Sequence, residues 1–331
     1  MKIIYKHGIT DEDRKTEGIR CISLVAVNES FGAIGNLQSI PQSLHKAKHK
    51  NRIAQVLWSK PAKLPFLDAR WGVSNQFELT LPLAALSVAM LKELGQEVVL
   101  YTDTDGQKLL GDLGYDRIYN ILDKLAVRND FWACGKILAL QNEPLDSLQI
   151  DTDIFVYDGA LLDKAFELEI VGSHVETTTS YQEILLMGQK HFEYLQGDSD
   201  YSINMGLFKV ANLYKKQRFI TNYWAGLKKF SDPKLLAQFK EKGHGAYCID
   251  LLIEQFNFYK LCTPDALIEL PALHAEAIGF VHLLSFEKYL KIPFVLDILM
   301  ERYPETYNIV IKKWEELDFS VWLEDKKFKA I

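Results

Sequence analysis

The stretch SLQIDTDIFVYDG, Ser147 to Gly159, sets the tightest limit on how this chain can fold. Ser147 to Ile150 and Ile154 to Tyr157 read as two pieces of one buried strand, apolar and partly β-branched, interrupted by Asp151-Thr152-Asp153. Two carboxylates are thereby drawn toward the core. Burying ionised carboxylates without partners is costly, so they belong at a strand end with a cation or another partner in front of them. Residues two apart in an extended chain project from one face, so Asp151 and Asp153 can address one site, and a divalent metal is the simplest partner. The plainer alternative is a strand end with a Thr-assisted turn and two solvated acids.

The rest of the chain supplies the context. It has 331 residues, 48% hydrophobic and 25% charged, enough to bury a sizeable core as one domain. A net charge of -6, with no basic run longer than KAKHKNR at Lys46 to Arg52, argues against a nucleic-acid partner. Cys21, Cys134, Cys248 and Cys262 lack metal-type spacing and read as reduced thiols, which predicts the cytoplasm. No segment reaches 18 apolar residues, so no membrane span is expected, although peripheral membrane contact is not excluded.

Strands and helices are predicted to alternate. Cys21 to Val27 reads as a first buried strand ending at Asn28. Ligands of open α/β sheets bind where strands end, which places Val27 and Asn28 beside a ligand. Pro41 to Arg52 looks helical with a basic face, and Ile53 to Trp58 reads as a short strand or a helix end. Leu79 to Leu94 predicts a helix with Pro82 in its first turn and Gly95 as its stop. Glu97 to Tyr101 predicts a strand feeding a second acid pair, Asp103 and Asp105, which fits a turn and helix cap. Phe131 to Gln141 predicts a helix carrying Lys136 toward the strand ends, or else snorkelling to solvent. Further on, Ala160 to Leu168, Tyr181 to Leu195, Tyr214 to Phe230, Pro233 to Lys242 and Ala246 to Tyr259 predict helices. Ile170 to Val175, Tyr201 to Val210 and Ala277 to Leu284 predict strands. Asn204 lies among apolar residues and needs a partner. Asp250 and Glu254, four apart, share a helix face that is either functional or simply solvated. Tyr201, Tyr223, Trp224, Tyr247 and Phe256 are either stacking surfaces for a ligand or core at helical spacing. The last 40 or so residues read as helical.

Four pieces in this order carry a resemblance: the strand Cys21 to Val27, the run Phe131 to Tyr157 ending in the Asp-Thr-Asp, Asn204-Met205-Gly206, and Val281-His282-Leu283 with Lys288. The chain resembles the GT-A glycosyltransferases, in particular glycogenin-like and bacterial polysaccharide transferases, over about residues 20 to 290. The resemblance implies an α/β, Rossmann-related mixed sheet flanked by helices, with a helical C-terminal part. Within one domain it implies a nucleotide-binding half at about 20–160, an acceptor and metal-completing half at 161–290 and a C-terminal extension at 291–331. It implies that Asp151, Asp153 and His282 hold Mn2+ or Mg2+, and that Lys136, Asp151 and Lys288 meet the nucleotide. It also implies that Asn204, Asp250 and Glu254 serve catalysis. The substrates implied are a nucleotide-diphosphate sugar and a glycan or small-molecule acceptor. One imidazole among oxygens tilts the ion toward Mn2+. Glu254-Gln255 resembles the acid-Gln pair of retaining members. The glycine usual between that His and Lys is absent, where Leu284-Ser285-Phe286-Glu287 stands instead. His282 also has a plainer reading, a core histidine on an apolar strand. Two alternatives stay open: a transferase-shaped binding protein without turnover, and a haloacid-dehalogenase-type phosphatase. Phe155 and the mid-chain position of the acid pair oppose the phosphatase.

Overall fold

The structure, a computed structural model, describes residues 33–62, 76–128, 131–176, 179–196, 202–241, 246–262, 279–284 and 286–317. The predicted strand Cys21 to Val27, with Val27 and Asn28, lies outside them. The chain forms two compact units. The first comprises the described parts of Gly32–Ala139 and Gly279–Ile331 together with Ile150–Asp163. The second comprises Leu140–Gln149 and the described part of Lys164–Ile278.

In chain order the elements open with β1 (Ala33–Ile34), β2 (Arg52–Leu57), α1 (Ser59–Ala62), α2 (Gln76–Glu93), β3 (Glu97–Thr102), α3 (Thr104–Leu110) and β4 (Arg117–Asn120). Next come α4 (Cys134–Asn142), β5 (Leu148–Ile150), β6 (Ile154–Val156), α5 (Gly159–Glu167), β7 (Ile170–Val171), β8 (His174–Glu176) and α6 (Thr179–Gln189). After them stand β9 (Ser202–Asn204), β10 (Leu207–Val210), α7 (Leu213–Phe230), α8 (Pro233–Glu241), α9 (Ala246–Leu251), a π-helical turn (Leu252–Phe256) and α10 (Asn257–Cys262). The described residues close on β11 (Phe280–Leu283), α11 (Ile292–Arg302) and α12 (Pro304–Glu316), so the C-terminal part is helical.

The first unit is α/β. β2 pairs parallel with β3, and β3 with β4, through helical crossovers. The buried residues Ile53, Ala54, Val98, Val99 and Leu100 make β2 and β3 near-continuous apolar runs, as a sheet covered on both faces requires. A second ladder, antiparallel, runs β1–β11–β6. α2 spans Gln76–Glu93, so Pro82 sits inside it rather than in its first turn. Proline leaves the carbonyl four residues back without an intrahelical donor, and the Trp314 indole of α12 lies 3.5 Å from that oxygen, on Glu78.

Four expectations need correction. Pro41 to Arg52 is not a helix. Its backbone finds tertiary partners instead: Lys48 N–H donates to the Asp163 carboxylate at 2.9 Å, and Gly159 N–H donates to His45 O at 2.9 Å. Ser147 to Tyr157 is not one strand: β5 ends at Ile150, Ile154 N–H donates back to Asp151 O at 3.1 Å, and β6 joins β11. Asp151-Thr152-Asp153 is therefore a tight turn between strands. Ile170 to Val175 and the described part of Tyr201 to Val210 likewise each divide into two strands.

The second unit pairs β7 with β10 and β8 with β9, both antiparallel. Phe208, Phe219 and Phe258 meet edge to face in its core. Lys209 and Lys216 are buried there with their ammoniums on the carbonyls that end α5 and follow α4, and burial lowers both from the ordinary lysine range.

Candidate metal centre

The site lies in the first unit, and a buried polar relay fixes its frame. Tyr115 OH donates to Gln55 Oε1 at 2.8 Å, Gln55 Nε2 donates to Ser87 Oγ at 2.7 Å, and Ser87 Oγ donates to Ile154 O at 2.6 Å. The carbonyl of Ile154, the residue directly after Asp153, is thus tied through α2 to β2. From the other side Leu283 N–H donates to Asp153 O at 3.1 Å, and His282 lies in register with Ile154. Gly279, at φ 74°, turns the chain into β11, and its carbonyl accepts the N–H groups of Tyr157 and Asp158.

This frame brings one atom from each of Asp151, Asp153 and His282 to within 4.8 Å of one another. His282 Nε2 stands 3.7 Å from Asp153 Oδ1. Lys288 Nζ lies 2.8 Å from Asp153 Oδ2, and Lys136 Nζ lies 2.8 Å from Asp151 Oδ2 and 5.3 Å from the centre of the Trp132 ring. Burial by itself would raise the Asp153 carboxyl, but the charges of Lys288 and His282, the Lys288 hydrogen bond and the more distant Lys136 together hold it down at about 2. Asp153 is therefore a carboxylate at neutral pH.

The residues fit a divalent ion. Asp153 Oδ1 is buried and, among the described residues, accepts no hydrogen bond. A buried carboxylate oxygen in that state calls for a ligand. The 3.7 Å between it and His282 Nε2 suits an ion bonded to both, each bond being about 2.1 Å.

The remaining predicted residues lie in the second unit. Asp250 and Glu254 are both fully buried, so theirs is not a solvated face. Tyr223 OH donates to Asp250 Oδ1 at 2.8 Å, which makes Tyr223 core. Glu254 and Phe256 sit in the π-helical turn, a rare distortion that often marks function. Asn204 finds its partner locally, its Oδ1 accepting Gly206 N–H at 2.8 Å between β9 and β10. Gln255 Oε1 accepts from Ser202 Oγ at 3.3 Å. Trp224 is half-buried, and Tyr201 lies outside the described residues.

Sequence reasoning missed the two lysine–carboxylate pairs and the relay behind them. The relay had a signal, since Gln55 and Ser87 each interrupt an otherwise apolar run. The pairing of Lys288 with Asp153, 135 residues apart, had none.

An α/β unit with two carboxylates and an imidazole gathered at strand ends defines a candidate metal-binding protein. By its sequence, the chain belongs to the DUF6734 family, a family of unknown function, whose model matches residues 51–276. No curated protein matches it. Among solved structures it is similar to galactosyltransferase LgtC in complex with donor and acceptor sugar analogues, at 14% identity over 61% of this chain and 69% of that one, TM-score 0.33. It is similar to mouse xyloside xylosyltransferase 1 at 12% identity over 67% and 86%, TM-score 0.34. It is also similar to core-mannan synthase A from Aspergillus fumigatus in its Mn/GDP form, at 10% identity over 72% and 78%, TM-score 0.30. Among the described residues no helix is long and apolar enough to cross a membrane.

Proposed function

We propose that the chain is a metal-dependent glycosyltransferase that moves a sugar from a nucleotide-diphosphate donor to a glycan or small-molecule acceptor. The observation that carries this reading is the convergence of Asp151, Asp153 and His282, with Lys136 and Lys288 on the two carboxylates. A diphosphate leaving group carries two to three negative charges, and a divalent cation held by these residues would neutralise charge as the glycosidic bond breaks. In this reading Asp153 and His282 bind the ion directly. Asp151 binds it or the donor ribose, and Lys136 and Lys288 meet the phosphates. In the same reading Val27 and Asn28 meet the nucleotide, while Asn204, Asp250 and Glu254 serve the acceptor step. The Glu254-Gln255 pair favours retention, in which the acceptor proton leaves with the departing diphosphate and no dedicated base is required.

The test is direct. The protein is incubated with Mn2+ and a panel of UDP-, GDP- and CMP-sugars while thermal stability and slow donor hydrolysis are followed. Stabilisation by nucleotide that requires Mn2+, together with hydrolysis of one donor, is the expected outcome. Stabilisation without hydrolysis makes the protein a binder, and release of phosphate from simple phosphoesters instead makes it a phosphatase.

A further inference from the structure

The lysines themselves point to a device beyond simple phosphate binding, an inference that rests on the metal-site reading above. Each acid of the pair is occupied by its own ammonium at 2.8 Å. Lys288 is no waving surface chain: it is 8% exposed and lies on the carboxylate that also faces His282. With the His282 imidazole neutral, as a metal ligand must be, two carboxylates and two ammoniums balance to zero, and any proton on His282 only adds positive charge. A divalent ion entering alone would bring two uncompensated positive charges next to two ammoniums, and at the Asp153–Lys288 pair, whose side chains are 13% and 9% exposed, solvent screens them poorly. A nucleoside diphosphate entering alone would face two carboxylates. Only the two together leave the site near neutrality.

We propose that Lys136 and Lys288 form a counter-ion lock: they stand in for the metal on Asp151 and Asp153, hold affinity for the ion alone down, and transfer to the diphosphate when both ligands arrive. Metal and nucleotide then bind as a coupled pair, and the coupling is reciprocal. The lock also suppresses capture of stray divalent ions by a site with no substrate in it.

The test uses the full chain and measures Mn2+ affinity by titration calorimetry or electron paramagnetic resonance, with and without saturating UDP or GDP. Lys288→Met is expected to bind Mn2+ alone at least about tenfold more tightly than the unmodified chain, a modest effect for removing one unit charge near the ion. The factor by which the nucleotide enhances Mn2+ affinity should shrink by a similar amount. Lys288→Gln keeps a hydrogen bond to Asp153 without the charge and should behave alike, which keeps the test open if the Met variant folds poorly. Lys136→Met repeats it at Asp151. Unchanged or weaker Mn2+ binding by folded Lys288 variants overturns the lock. Asp153→Asn separates the two ideas. If it loses Mn2+ while the lysine variants gain none, the metal site stands and the lock is wrong. If it binds Mn2+ as the unmodified chain does, the metal reading itself falls.

Discussion

The first unit contains the same tripeptide twice, each time after an apolar strand: Asp103-Thr104-Asp105 after β3 and Asp151-Thr152-Asp153 after β5. Their fates differ because of what surrounds the carboxylates. Asp103 caps α3, its Oδ1 accepting Gly106 N–H at 2.9 Å and its Oδ2 accepting Ser59 N–H and Oγ–H at 2.9 and 2.7 Å. Gly106 must be glycine, since a Cβ there would lie 2.1 Å from Thr102 Oγ1. Thr104 is tied to Asp123, and Asp105 pairs with Lys108 at the surface. That acid is saturated by its neighbours and has nothing left to offer an ion. In the second copy a turn replaces the helix, and Asp153 keeps one buried oxygen facing an imidazole. An Asp-x-Asp is left open to an ion when its local backbone declines it.

The comparison can be broken experimentally. Asp153→Ala is expected to abolish Mn2+-dependent nucleotide binding, a loss of about a hundredfold or more, with the circular dichroism unchanged. Nucleotide binding that survives with the same metal dependence would remove the difference between the two tripeptides. Asp103→Ala should do the reverse, costing about 2 kcal/mol in urea unfolding and leaving the metal titration intact. Asp105→Ala should move neither, staying within about 0.5 kcal/mol. His282→Ala should weaken metal affinity about tenfold in calorimetry. An unchanged titration would return His282 to a purely structural role.

The smallest effect is in acid. Asp153 is held at about 2 in the folded chain against an ordinary 3.8, so between those values the unfolded chain binds more protons. The stability this carboxylate contributes is fully present above about pH 4 and is lost as pH falls through 2. In denaturant titrations across this window, Asp153→Asn should flatten the decline in stability relative to the unmodified chain. An equal slope in both would mean that the lysine and histidine charges do not act on Asp153 as described.

Much of the first unit was legible from local rules. The apolar run of β3, the cap at Asp103 and the long helix α2 follow from residue type and spacing alone. The acid pair, His282 and Lys288 also stand out in the sequence, and the structure gathers them. What spacing could not reveal is who pairs with whom across long separations. Nothing near Lys48 in sequence announces the Asp163 carboxylate that replaces a helix there. Nothing near Asp153 announces Lys288. The turn at 151–154 was misread as extended because both flanks are apolar and β-branched, and only the departure of β6 to β11 makes the reversal necessary. In the second unit the burial of Asp250 depends on Tyr223, 27 residues away, which no helical spacing reveals.

The hydroxyl of Ser87 has an implication for how such chains can diverge. It accepts from an amide and donates to a carbonyl through one oxygen close to the helix backbone, so among side chains of this size only the serine and threonine hydroxyls serve, and threonine must find room for a methyl group. Drift at this core position, on a helix contributing no atom to the acid–imidazole cluster, would therefore be tolerated only in step with position 55, and relatives keeping the cluster should vary at the two places together.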